Sequence, residues 1–153
     1  MNLLPILSAS VLALALTLPA QAQTLTAGDT DAVLAAAKEI GEATLSTQAN
    51  GDPLINGTVD GTGYQIYFRN CTDNAECEDL NFYAGFSSKP DLAVINSWNR
   101  DKRFSRAYLD EVGDAAVEMD LDMVAGVTSG YLASQVGLWP QIVEQFETHI
   151  GYR

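Results

Sequence analysis

The sequence predicts an α+β fold: a five-stranded antiparallel sheet with helices, in the order α-β-β-β-α-β-β-α. Three observations point there. Tyr64, Ile66 and Phe68 alternate with Gln65, Tyr67 and Arg69, and Leu80, Phe82, Ala84 and Phe86 recur at every second position, the period of a half-buried strand. Asp60-Gly61 and Glu111-Val112-Gly113 each carry a glycine where a hairpin turn needs positive φ. Leu132, Val136, Trp139, Val143, Phe146 and Ile150 are spaced alternately by four and three residues, which lines one face of a helix.

The first helix is expected to start at Asp29 or Thr30, either of which can cap exposed N–H groups, and to run through Ala-rich sequence to about Thr47. Its face is Val33, Ala36, Ala37, Ile40 and Ala43. Strands over 54–58 and 64–69 flank the Asp-Gly turn, and a third covers 79–86. Ser87-Ser88-Lys89-Pro90-Asp91 has a Ser cap, an early Pro and an acid three residues after Ser88, the signature of a helix start. That helix runs to about Asp101 on Leu92, Val94, Ile95 and Trp98. Strands 104–109 and 115–123 then form a hairpin. Its register pairs Leu109 with Ala115, Ala107 with Val117 and Ser105 with Met119 on one face. On the other it pairs Arg106 with Glu118 and Phe104 with Asp120. The last helix, capped by Thr128 or Ser129, spans 128–149, and Pro140 predicts a kink or break after Trp139.

The 153 residues suffice for one domain with a real core, expected over residues 30–150. Residues 1–22 carry no charged side chain and end in Ala20-Gln21-Ala22, the small-x-small pattern of a signal peptidase site. Cleavage is expected before Gln23, leaving 23–29 as a short mature tail. No Lys or Arg precedes the apolar run, so an uncleaved anchor is the competing reading. The net charge of −12 opposes nucleic acid and anionic membrane surfaces as partners. In an exported chain, Cys71 and Cys77 read as a structural disulfide at the feet of a strand-to-strand loop. Their spacing is not the C-x-x-C of redox enzymes.

The chain shows no catalytic constellation. Its one histidine, His149, is expected as a solvated helix-end residue, and no G-x-S-x-G turn marks a nucleophile. Asp120 and Asp122 share a strand face, but without the spacing of a calcium loop. No metal site and no cofactor are predicted. The candidate binding residues are Asn96, Trp98, Asn99, Arg100, Arg103 and Arg106: two amides, an aromatic anchor and three arginines of an otherwise acidic chain. The competing reading makes Trp98 core, the Asn residues caps and the cations complements of the helix dipole.

Asn96-Ser97-Trp98-Asn99, Arg103-Phe104-Ser105-Arg106-Ala107 and Glu118-Met119-Asp120-Leu121 resemble the YbjN-like family of bacterial sensory transduction regulators. The resemblance extends to the paired cysteines around an acidic loop, Leu80-Asn81-Phe82, Gly126-Val127-Thr128 and the closing helix with Trp139 and Phe146. It covers most of residues 30–148. It implies a type III secretion chaperone-like fold and a bacterial source, hence a periplasmic or secreted address in a Gram-negative cell. It implies no reaction. The expected function is an exported, non-enzymatic binding, regulatory or chaperone-like module for a protein or peptide partner. A small-molecule or ion sensor is the alternative, and a hydrolase finds no support. A homodimer is open, with Trp139 or the last helix as its seam.

Overall fold

A computed structural model describes residues 24–153; the expected signal peptide lies outside the described residues. Six strands form the main sheet in the order β2-β3-β4-β5-β7-β6, all neighbours antiparallel. They are β2 (Glu42–Thr47), β3 (Pro53–Val59), β4 (Thr62–Arg69), β5 (Asp79–Phe86), β6 (Arg106–Leu109) and β7 (Ala115–Asp122). The helices are α1 (Thr30–Lys38), α2 (Leu92–Asp101), α3 (Ser129–Val136) and α4 (Trp139–His149). Two short strands, β1 (Thr24–Leu25) and β8 (Val127–Thr128), pair separately, so part of the expected tail is tied down.

The sheet therefore has six strands, not five. The expected first helix stops at Lys38, and Glu42–Thr47 is an edge strand. Gly41 marks the change: a Cβ there would collide with the Thr58 carbonyl oxygen, so only glycine lets the chain pass that close to β3. The second helix also starts later than expected. Asp91, not Ser88, is the residue before its first turn. The last helix breaks at Gly137 and Leu138, before Trp139 rather than after it, and Pro140 falls in the first turn of α4, where its missing N–H costs nothing. Thr128 caps α3 by accepting from the Tyr131 N–H.

The hairpin turns follow the sequence closely. Asp60 and Gly61 both have positive φ, +48° and +85°, as a two-residue turn matched to strand twist requires. Gly113 sits at φ +85° between β6 and β7. Arg106 faces Glu118, Ala107 faces Val117 and Leu109 faces Ala115, as expected. The expected pairs of Ser105 and Phe104 do not form, because β6 begins at Arg106 and Phe104 turns out of the strand at φ +67°. Cys71 and Cys77 are bonded across the loop between β4 and β5, with Thr72 and Glu76 bridged inside it.

Side chains alternate across the sheet, so each strand serves two faces. Tyr64, Ile66, Phe68, Leu80, Phe82, Phe86, Val117 and Met119 point to the helices and join them in one core. Trp139 packs on Phe82 and Tyr64 at 5.6 and 6.3 Å between rings, and Phe146 packs on Phe86 and Trp98 at 5.5 and 4.9 Å. All of the expected helical stripe is inside except Ile150, which is half-buried. Trp139 is fully buried, so it cannot be the seam of a dimer.

Tyr64 lies across Gly57 of the neighbouring strand, where a Cβ would collide with the ring. Burial pushes the Tyr64 phenol up to about 12. Gly57→Ala is therefore expected to cost about 1–3 kcal/mol by overpacking. Gly63→Ala, whose Cβ would meet nothing within 4 Å, should stay within about 0.5 kcal/mol. Urea unfolding of the two variants measures the difference.

Candidate functional site

The six candidate residues separate once the chain folds. Trp98 is 1% exposed. Its indole N–H donates to Ser105 Oγ at 3.2 Å, and its ring is enclosed by Phe146 and His149. It is core, not an anchor for a partner. Asn99 is structural too. Its amide donates to the Ala107 carbonyl at 2.9 Å and accepts the Ala107 N–H at 2.8 Å. The side chain thus acts as a one-residue strand on the outer edge of β6, satisfying main-chain groups that β7 cannot reach. Arg100 is exposed and grips Asp101 with two hydrogen bonds of 2.8 Å. Arg103 stacks over the exposed Phe104 ring at 5.1 Å, and Asn96 is exposed on α2.

Arg106 alone reaches the opposite side of the sheet. It pairs with Glu118 and stands 4.0 Å from Asp120. That face holds what sequence reading missed. Leu54 and Ala116 are buried but stand apart from the core, because they project away from the helices. Three tyrosines project with them, one in each of three adjacent rows across the strands. Tyr67 shares its row with Leu54, Asn81 and Asp120. Tyr83 shares the next with Asn56, Gln65, Glu118 and Arg106. Tyr108 shares the last with Gly85 and Ala116.

Their polar ends are tied together. Tyr67 donates to Gln65 Oε1 at 2.6 Å, and Gln65 Nε2 donates to Asn56 Oδ1 at 3.2 Å. Tyr108 donates to Glu118 Oε1 at 2.8 Å. Asn81 donates to Asp120 Oδ1 at 2.7 Å while its own Oδ1 is buried without a partner among the described residues. Tyr67 and Tyr83 meet edge to face at 6.2 Å, and Arg69 lies over Tyr67. Burial, then the Glu118 carboxylate, holds the Tyr108 phenol well above its ordinary range; burial, then Tyr67 and nearby carboxylates, raises Tyr83. Beside this ridge lies a shallow depression of about 480 Å³, walled by Asn56, Gln65 and Tyr83 and floored by Gly63 and Gly85. The missed signal was tyrosine at strand positions where alternation calls for plain polar residues.

The remaining candidates for chemistry are structural. His149 is half-buried, not solvated: its Nε2 lies 2.9 Å from the Val94 carbonyl and 3.1 Å from Ser97 Oγ, joining α4 to α2. Asp122 accepts the Val124 N–H at 2.9 Å. Among the described residues no group of three or more His, Cys, Asp or Glu is placed to hold a metal, and no helix is long and apolar enough to cross a membrane. Glu147, buried on α4, is held by Arg153 and Thr62, which fastens the end of α4 to the β3–β4 turn.

Asn99→Ala leaves both Ala107 main-chain groups without this partner. A loss of about 1–2 kcal/mol is expected in urea unfolding, together with faster hydrogen exchange at Ala107. Asn96→Ala should change stability by less than about 0.5 kcal/mol.

Comparison with known proteins agrees with this architecture. No curated protein matches the chain. Among solved structures, the Yersinia pestis type III secretion chaperone SycH, in complex with a stable fragment of YscM2, is similar with a TM-score of 0.52 and 15% identity, over 77% of this chain and 96% of that one. A chain of the ExsC–ExsE complex gives 0.48 and 18%, over 78% and 96%. The family model described as "Putative bacterial sensory transduction regulator" matches residues 29–151, and the chain belongs to that family, YbjN.

Proposed function

We propose that the protein is an exported, non-enzymatic binding module that takes a protein or peptide partner on the open face of its sheet. One observation carries this reading. The described helices share one core with the other side of the sheet, leaving Tyr67, Tyr83 and Tyr108 on a face of joined strands. Tyrosine gives large contact area with few rotatable bonds and a polar tip that tolerates water, the combination favoured at recognition surfaces. The hydrogen bonds among Tyr67, Gln65 and Asn56, and between Tyr108 and Glu118, hold the rings in place before a partner arrives. Less conformational freedom is then lost on binding.

The chaperone-like fold supports a protein partner, since the Yersinia protein of similar fold was solved with a fragment of another protein. The regulator family supports the absence of turnover. Export rests on the uncharged apolar leader with its small-x-small end and on the Cys71–Cys77 bond, which persists in an oxidising compartment. Production in a Gram-negative host should give a periplasmic chain whose first residue is Gln23, read by intact mass. A cytoplasmic chain beginning at Met1 would remove export from the proposal.

A random-peptide display library tests the surface. Peptides selected on the folded protein should bind Tyr83→Ala or Tyr67→Ala about tenfold or more weakly, while both variants keep the far-UV circular dichroism of the folded parent. Asn96→Ala, on the helical side, should bind them as the parent does. Peptides that ignore both tyrosines and lose affinity on Asn96→Ala would place recognition on α2 instead.

A further inference from the structure

The two edges of the sheet are treated differently. At β6 the outward main-chain groups of Ala107 are taken by Asn99. At β2 no strand lies beyond the edge among the described residues. Gln48 N–H donates inward to the Asp52 carbonyl, and Thr47 stands opposite Pro53, which has no N–H to give. Alternation along the strand then turns the N–H and C=O groups of Ala43, Leu45 and Thr47 outward. Proteins guard such edges with lysine, proline, bulges or brevity. Glu42–Thr47 has no proline and no lysine, pairs without a bulge along its full length, and leaves Leu45 46% exposed.

We infer that β2 pairs with β2 of a second copy, antiparallel about a two-fold axis at Leu45. The sequence Glu42-Ala43-Thr44-Leu45-Ser46-Thr47-Gln48 fits itself in this register. Leu45 meets the partner's Leu45, Ala43 meets the partner's Thr47, and each such pair exchanges two main-chain hydrogen bonds. On the other face Thr44 meets the partner's Ser46, two hydroxyls within reach of each other. Glu42, the one charged residue of the strand, falls opposite the partner's Gln48 rather than a second carboxylate. Avoiding that clash of like charges matters in a chain whose net charge of −12 already drives copies apart. A two-fold register centred on Ala43 or Thr47 leaves half of the strand unpaired. A two-fold pairing of this kind is closed, so it stops at two copies. It keeps both tyrosine faces on the same side of one continuous sheet.

Sedimentation equilibrium of the oxidised full chain, at concentrations from micromolar toward millimolar, tests the pairing. The expected mass rises to twice that of one chain and does so at lower concentration when salt is added, because the opposing charges are screened. Leu45→Lys puts two cations face to face at the centre and should leave a monomer of unchanged Tm. Leu45→Cys, treated with oxidised glutathione as the two-electron oxidant, which leaves as two reduced glutathione thiols, should form a reducible disulfide between the two introduced thiols, one from each chain, identified by peptide mass. Tyr131→Lys, which changes an exposed aromatic on α3, should associate like the parent. A chain that stays monomeric throughout overturns the inference. So does a dimer that survives Leu45→Lys and gives no interchain disulfide with Leu45→Cys. A monomer whose β2 amides become protected from exchange only when an extended peptide is added also overturns it, and gives the edge to another protein.

Discussion

The structure depends on one layer of helices covering one face of one sheet. Trp139, fully buried between Phe82 and Tyr64, is the centre of that contact, and Phe146 extends it to Phe86 and Trp98. Because side chains alternate along a strand, whatever residues serve the core fix which residues cannot. Tyr64, Ile66 and Phe68 go in, so Gln65, Tyr67 and Arg69 must come out. A shift of one residue in β4 would reverse every one of these, and the Cys71–Cys77 bond at its end holds β4 against β5 where such a shift would begin. The open face is therefore a consequence of the core rather than a separate construction.

The fold was legible wherever two signals agreed. The β6–β7 register could be read because Arg106 with Glu118 and Ala107 with Val117 satisfy charge and burial at the same offset. The α3–α4 stripe could be read because its spacing allows one face only. Strand β2 was hidden for the opposite reason. Of its six residues only Ala43 is buried, so no alternation shows, and the preceding Ala-rich sequence has high helix propensity. Gly41 was the available signal, and its meaning lies in a carbonyl of β3 that no local window contains. The candidate site fared likewise. Composition picked out Trp98 and Asn99 as unusual, which they are, but the demands they answer are packing and the closing of an edge. Tyr67, Tyr83 and Tyr108 lie 41 positions apart from first to last, and only the strand order β4-β5-β7-β6 makes them neighbours.

The polar groups on the open face separate a surface that recognises from one that merely tolerates water. A solvated sheet face needs no hydrogen bonds among its own side chains, because water supplies them. Here Tyr67, Gln65 and Asn56 are linked in series, and Glu118 is 7% exposed under Arg106 and Tyr108 although it projects away from the core. Burying a carboxylate on an outer face has a desolvation cost that a surface pair in full solvent would not carry. Tyr108, which donates to that carboxylate, gives the cost a structural return: a ring fixed in orientation beside the buried Ala116.

The edges complete the argument, since a sheet covered on one side still has two ways to associate. Asn99 takes the outward main-chain groups of Ala107 in β6 with a side chain held by α2, so this cover depends on the same helix that buries Trp98 against the core. Nothing comparable reaches β2 among the described residues, because α1 ends at Lys38 and the chain turns at Gly41 directly into the edge. Packing on the inner face thus decides three things in turn: which side chains are left for the outer face, which edge a helix can seal, and which edge stays free to pair.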